Sequence, residues 1–169
     1  MDTEITLEPI RAEDAGRFCR MANRPGVVRW LPDFRMTGTL AERLARESRD
    51  SAFLSPLEQR KLYGIYVHGE LEGALSLGPA YETGYRPALG FFLAEEAEGR
   101  GIAFRAVGLA LEIMREEGAE RLFALTEKGN LRASRLLQRT GFQKTGERAF
   151  RTAGEREKRQ YDLWEREIR

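Results

Sequence analysis

A glycine-rich turn in the middle of the chain has the residue types and spacing to bind an anion. It follows an apolar stretch, ALGFFLAE, which predicts a buried central strand. It precedes a run from about residue 103 to 117 whose apolar residues recur at helical spacing. The first N–H groups of a helix lack internal partners and carry partial positive charge, so they can cradle a phosphate where side chains are small. The residues of this predicted cradle are Gly99, Arg100, Gly101, Ile102 and Ala103.

The turn does not match two common phosphate-binding motifs. No Gly-Lys-Ser/Thr follows it, which excludes a P-loop. It also lacks the third glycine of the dinucleotide fingerprint. Taken alone, the turn leaves two interpretations open: an anion cradle to which Arg100 adds a charged contact, or a tight strand-to-helix connection without a ligand.

The composition limits the function classes. The chain of 169 residues predicts one domain, residues 1–169, and its net charge of +1 gives no indication of nucleic-acid or membrane binding. A single histidine argues against a His-rich metal site, and we expect no metal. Cys19 is the only cysteine, so no intrachain disulfide can form, and we expect a cytoplasmic protein.

The elements that must position the turn alternate between strand and helix patterns. ITLEPI predicts a first strand, and residues 11–23 and 37–53 predict two helices, the first broken at Pro25-Gly26. Two apolar runs flank HGE as a hairpin, and RLFALT predicts another buried strand. A short helix, NLRASRLLQRT, and two strands around Gly154 complete the chain. This order predicts an α/β fold with one sheet and helices on both faces.

Two stretches together resemble the GNAT superfamily of N-acetyltransferases. The family signature Gln/Arg-x-x-Gly-x-Gly/Ala is matched by residues 98–103, and a later Asn–helix–Gly-Phe signature is matched by Asn130, Gly141 and Phe142. The resemblance is firmest over residues 89–142, and the opening ITLEPIRAEDAGRF makes the ribosomal-protein N-terminal acetyltransferase group the most similar branch. It implies a single mixed sheet, mostly antiparallel, with a central splayed parallel pair of strands.

The resemblance also implies acetyl-CoA as cosubstrate and direct transfer of its acetyl group to a primary amine. The diphosphate would lie on the N–H groups of residues 99–103, and the thioester carbonyl would meet an N–H near Phe92 or Leu93. Asn130 would contact the pantetheine arm, although it can equally be the N-cap of the helix that follows. Direct transfer leaves Cys19 without a catalytic role. Strand-like pairing of the pantetheine arm would involve the backbone of Phe92, Leu93 and Ala94.

Three positions depart from the family pattern. Glu98 stands where the family has Gln or Arg, and we expect it to point to solvent. Leu137 stands where many relatives have a tyrosine that acts as general acid, and we expect this position to face the thioester sulfur with room near it. Ser134 is therefore the candidate that protonates the departing CoA thiolate. An ordinary polar helix residue is the alternative for Ser134. Ala88 replaces a glutamate, and the candidate bases are Glu82, Glu95 and Tyr81.

The acceptor side is less defined by the sequence. Trp30, Tyr81 and Tyr85 can form an aromatic wall with Asp33 or Glu82 holding a cationic amine, or they can be ordinary packing residues. A protein N-terminus is one candidate acceptor, and a small amine such as an amino acid, polyamine or aminoglycoside is another. A non-catalytic acyl-CoA-binding protein, a plain interaction domain and a homodimer remain open alternatives.

Overall fold

The computed structural model describes residues 4–30, 61–151 and 156–168. Seven strands form one sheet in the order β1-β2-β3-β4-β5-β7-β6. The strands are β1 (Ile5–Glu8), β2 (Lys61–Val67), β3 (Glu70–Ala80), β4 (Arg86–Leu93), β5 (Arg121–Glu127), β6 (Gln143–Phe150) and β7 (Arg159–Glu167). The helices are α1 (Ala15–Ala22), α2 (Pro25–Trp30), α3 (Ile102–Glu116) and α4 (Leu131–Arg139).

The centre of the sheet contains the feature that positions the site. Every neighbouring pair of strands is antiparallel except β4 and β5, which run parallel. Among the described residues, this ladder has only two partner pairs, Ala88↔Phe123 and Leu89↔Ala124. The two strands therefore separate towards their C-terminal ends, and the predicted mixed sheet with a splayed parallel pair is confirmed.

Helices cover both faces of this sheet, as predicted. Phe18 of α1 stacks on Phe92 of β4 with the ring centroids 6.1 Å apart. Pro87 of β4 lines a cavity with Met114 of α3. Because successive side chains of a strand point to opposite faces, Phe92 and Pro87 face opposite sides of the sheet, and so do the helices that contact them. The buried face of α3 has the predicted helical spacing, with Ile102, Ala106, Val107, Ala110, Leu111 and Met114.

Most predicted elements are present with small shifts in their bounds. The helix predicted from about residue 103 to 117 is α3, and the HGE hairpin turns at His68 and Gly69, both with positive φ. The predicted helix at 37–53 and the turn at Gly154 lie outside the described residues. None of the helices in the described part of the chain is long and apolar enough to cross a membrane.

Candidate active site

The edge of β4 that faces β5 becomes unpaired beyond Leu89, where the strands separate. The Ala94 N–H donates to Glu72 O of β3 at 2.7 Å, and Ala94 O accepts from the N–H of Ala97 at 3.0 Å. Backbone groups alternate in direction along a strand, so the Leu93 N–H and C=O face away from β3 and into the gap. Of the three residues predicted to pair with pantetheine, Leu93 is therefore the one whose backbone faces the gap, while Phe92 and Ala94 face β3.

The glycine turn lies just beyond this gap and leads directly into α3. Gly99 and Gly101 both have φ of 76°, a left-handed conformation that favours glycine. A Cβ added to either residue would meet no atom within 4 Å, so the space above the turn is open. The first helical hydrogen bond runs from Arg105 N to Gly101 O, which leaves the preceding N–H groups without partners inside the helix.

Glu98 does not point to solvent, and that expectation was wrong. Its Oε1 accepts from Arg24 Nη2 at 3.0 Å, and its Oε2 accepts from Arg132 Nη1. Burial works against the charged carboxylate, but the hydrogen bonds from Arg24 and Arg132 prevail and lower the pKa of Glu98 below its ordinary value. The two arginines come from the α1–α2 junction and the first turn of α4, and local sequence cannot reveal such a convergence.

Arg24 also reaches the unpaired edge of β4. Its Nη2 donates to Leu93 O at 2.7 Å, while its Nε is buried without a hydrogen-bond partner among the described residues. Arg24 was not predicted from the sequence, because its partners Leu93 and Glu98 lie 69 and 74 positions away in the chain. Arg24, Glu98 and Arg132 are called the arginine–glutamate cluster below.

The second flank of the gap carries a chain of side-chain hydrogen bonds. Trp164 Nε1 donates to Thr126 Oγ1 at 2.8 Å, Thr126 and Ser134 hydroxyls lie 3.4 Å apart, and Ser134 Oγ donates to Asn130 O at 3.0 Å. An indole N–H can only donate and a carbonyl can only accept, so the direction of the whole chain is fixed. The Ser134 proton is committed to Asn130 O, which favours the structural alternative for Ser134. Thr126 was missed, although it ends a predicted strand four residues before Asn130.

Asn130 is confirmed as the N-cap of α4. Its Oδ1 accepts from Ala133 N at 3.3 Å, which satisfies one of the unpaired donors of the first turn.

The prediction of room near Leu137 was wrong. Its side chain is fully buried, with 0% exposure in the hydrophobic core, so no room surrounds it. Residue 137 therefore lies in the packed core rather than at an open surface.

Of the remaining acceptor and base candidates, Glu82 and Tyr85 lie away from the open end of the gap, whereas Glu95 follows the end of β4 there. Glu82 lies in a one-turn 3₁₀ segment, Tyr81–Thr83, before β4 begins. A strand rises about 3.3 Å per residue, so even Arg86, the first residue of β4, lies roughly 13 Å from Gly90, where the gap begins. Tyr85 is on the same loop, 59% exposed, with a positive φ of 63°. Asp33 and the side chains of Trp30 and Tyr81 lie outside what the structure describes, and Glu95 is an exposed residue 3.9 Å from Arg24.

Comparison with solved structures finds the same fold in several acetyltransferases. The microcin C7 self-immunity acetyltransferase, solved with acetyl-CoA and AMP, has a TM-score of 0.77 at 16% identity, covering 98% of this chain and 93% of its own. An acetyltransferase from Salmonella typhimurium that modifies the N-terminal serine of a 50S ribosomal subunit protein has a TM-score of 0.75 at 17% identity, covering 99% and 97%. An aminoglycoside acetyltransferase in complex with coenzyme A has a TM-score of 0.71 at 19% identity, covering 95% and 94%.

Sequence comparison gives the family independently of these folds. A search of curated proteins found no match. The family model described as "Acetyltransferase (GNAT) domain", however, matches residues 4–143, which include the splayed strands, the glycine turn and the arginine–glutamate cluster. With that match over most of its length, the chain belongs to the GNAT acetyltransferase family.

Proposed function

We propose that this protein is an acetyl-CoA-dependent N-acetyltransferase that transfers the acetyl group directly to a primary amine. The observation that carries the proposal is the gap between β4 and β5, which opens directly onto the glycine turn and the N-terminus of α3. A strand edge and a helix N-terminus side by side suit a ligand that has an amide-bearing arm at one end and phosphates at the other.

The residues at the gap fit acetyl-CoA. The open space above Gly99 and Gly101 accommodates phosphate oxygens, and the backbone N–H groups of residues 99–103 would hold them. The Leu93 C=O accepts from Arg24, so the outward-facing Leu93 N–H is the group that would meet the thioester end of the pantetheine arm, and Asn130, which follows the opposite strand, would contact the same arm. When bound, acetyl-CoA supplies an acetyl group activated as a thioester.

The Leu93 N–H is the best-placed donor for the reacting carbonyl. It faces the gap, and it is part of the rigid β-sheet, so it does not have to reorganise during the reaction. A single preorganised donor at a developing oxyanion is worth about 2.7–4 kcal/mol of the barrier. We therefore assign to the Leu93 N–H the stabilisation of negative charge during acetyl transfer, with Cys19 taking no part.

A protein N-terminus is the acceptor that we propose first. The resemblance of the opening residues to the ribosomal-protein N-terminal acetyltransferase group supports it, together with the fold shared with the Salmonella typhimurium enzyme. The second candidate is a small amine, which is supported by the fold shared with the aminoglycoside acetyltransferase.

Two measurements on the purified chain test this function. Calorimetric titration with acetyl-CoA comes first, followed by release of free thiol in a screen of N-terminal peptides, amino acids, polyamines and aminoglycosides. N-terminally blocked versions of the same peptides are the matched controls. Binding with thiol release by a free-amine peptide supports the proposal, whereas binding without release by any amine indicates a non-catalytic protein. Absence of binding contradicts the proposal.

A further inference from the structure

Glu98 of the arginine–glutamate cluster places a negative charge at the first position of the family signature, before the glycine turn. Where the family has Gln or Arg, this chain has Glu98, and a carboxylate at that position repels a diphosphate. The structure surrounds Glu98 with two guanidinium groups, from Arg24 and Arg132, which offset its negative charge. The positive charge is thus present at the turn, but other elements supply it.

The geometry leaves part of Arg24 available for a further acceptor. Its Nη2 serves Leu93 O and Glu98, but its Nη1 approaches Glu95 only to 3.9 Å, which is beyond hydrogen-bond range. Its Nε is buried and has no partner among the described residues, and the bonds of Nη2 hold the guanidinium in place, so Nη1 is the donor that a further acceptor would meet. Such an arginine matches a phosphate, which offers several oxygens to its planar fork.

The side-chain exposures distinguish the roles of the two arginines. Arg24 is 22% exposed and bridges β4 to the glycine turn, which fixes its position from two sides. Arg132 is 78% exposed at the start of α4, and Glu98 is its ion-pair partner among the described residues. Glu98 itself is 29% exposed, and each of its carboxylate oxygens accepts from a different guanidinium group, so the carboxylate lies between the two arginines.

We propose that Arg24 is a cofactor-recognition residue that binds the diphosphate of acetyl-CoA together with the glycine turn. Glu98 is a positioning residue that holds Arg24 and Arg132 beside that turn. This inference rests on the proposed function, because it takes acetyl-CoA as the ligand. It explains why a carboxylate occurs at the first position of the signature without abolishing the anion site.

The first test compares two ligands that differ in their phosphates. Dissociation constants are measured by calorimetry for acetyl-CoA and for S-acetylpantetheine, which has the thioester and the arm but no phosphate. Arg24→Gln should weaken acetyl-CoA binding tenfold or more and change S-acetylpantetheine binding less than twofold. The matched control is Arg115→Gln, an exposed arginine in the last turn of α3 and about 21 Å from the glycines, which should leave both constants unchanged.

The second test separates positioning from simple repulsion. If Glu98 positions Arg24, the loss caused by Arg24→Gln should be at least threefold smaller in a Glu98→Gln background than in the wild type. If Glu98 only repels phosphate, Arg24→Gln should have the same or a larger effect in that background, and the positioning role is overturned. Arg24→Lys, which keeps the charge but loses the planar fork, should lie between wild type and Arg24→Gln.

A salt titration covers the case in which S-acetylpantetheine binds too weakly to measure or Arg24→Gln folds poorly. Acetyl-CoA affinity should depend less steeply on salt in Arg24→Gln or Arg24→Lys than in wild type, while Arg115→Gln keeps the wild-type slope. A wild-type chain that binds neither ligand contradicts the proposed function and this inference with it. A wild-type chain that binds acetyl-CoA, with Arg24 variants of equal affinity and equal salt slope, overturns this inference alone.

Discussion

The two flanks of the gap between β4 and β5 are built from different kinds of groups. On the glycine-turn flank, the donors are backbone N–H groups that have no partner inside α3. On the Ser134 flank, a hydrogen-bond chain starts at Trp164 and ends on Asn130 O, and every proton in it is committed. The first flank can therefore bind a ligand without giving up an existing bond, whereas the second must break one. The comparison assigns binding to the first flank and structural support to the second.

The largest effect should follow a substitution in the glycine turn. Gly101→Val adds a branched side chain to the open space above the turn, so we expect acetyl-CoA affinity to fall about a hundredfold or more. The left-handed φ of 76° adds a folding cost of about 1–2 kcal/mol, measurable by chemical denaturation. Calorimetry on the folded variant gives the affinity.

Gly108→Ala is the matched control for this substitution. Gly108 lies within α3, has open space around an added Cβ and lacks a positive φ. Its replacement should leave affinity unchanged and stabilise the helix by up to about 1 kcal/mol. A folded Gly101→Val variant with wild-type affinity would remove the anion site from the glycine flank and break the comparison.

The next effect concerns the buried side of α4. Leu137→Tyr forces a larger, polar side chain into a site with 0% exposure, and overpacking of this kind costs about 1–3 kcal/mol. Chemical denaturation measures the loss, and Leu131→Tyr, at a 62% exposed position on the same helix, should change stability little. If Leu137→Tyr is as stable as wild type, α4 leaves room at its buried side, and the second flank is less rigid than the structure indicates.

Ser134→Ala should have a smaller effect on the rate of acetyl transfer. Its hydroxyl proton is held by Asn130 O, and thiols have an unperturbed pKa near 8.5, so water can protonate the departing thiolate. We expect a rate loss of about tenfold or less, below the range of about 10²–10⁴ that is typical of general acid–base catalysis. Single-turnover kinetics with saturating acetyl-CoA measures it.

Thr126→Val is the structural counterpart on the same chain. It leaves the buried Trp164 N–H without an acceptor, so it should cost about 1–3 kcal/mol of stability and little cofactor affinity. A rate loss above about a thousandfold in Ser134→Ala would instead make the second flank catalytic.

The sequence predicted the features that depend on local pattern. The glycine turn, α3 and the strands on either side were predictable because the positive φ of Gly101 and the apolar spacing of α3 are written into consecutive residues. Which backbone groups of β4 face the gap was not predictable, because this depends on the hydrogen bond between the Ala94 N–H and Glu72 O of β3. The long-range pairing of Arg24 with Glu98 was missed for the same reason. The prediction of room near Leu137 was wrong because the spacing after Asn130 does not tell which face of α4 is buried.

The smallest expected effect is a pH dependence that originates in the arginine–glutamate cluster. The pKa of Glu98 is lower in the folded protein than its ordinary value of 4.5, so its ionised form stabilises the fold. This contribution is fully present above the unfolded pKa and is lost as the pH falls through the lower, folded pKa. Wild type should therefore unfold at a temperature no more than about 2–4 °C higher than Glu98→Gln at neutral pH, because a partly exposed ion pair contributes at most about 1 kcal/mol. The difference should shrink as the pH falls from about 4.5 through the lower, folded pKa.

The control for this prediction is the same substitution in a background without the two arginines. In Arg24→Gln/Arg132→Gln, the carboxylate has lost the donors that hold its charge, so the melting difference caused by adding Glu98→Gln should no longer decline on acidification in the same way. Differential scanning calorimetry from neutral to acidic pH measures both pairs of chains. A difference that stays constant with pH in the wild-type background would mean that the cluster does not hold Glu98 ionised. The glycine flank would then rely on its backbone donors alone, without a carboxylate that organises its arginines.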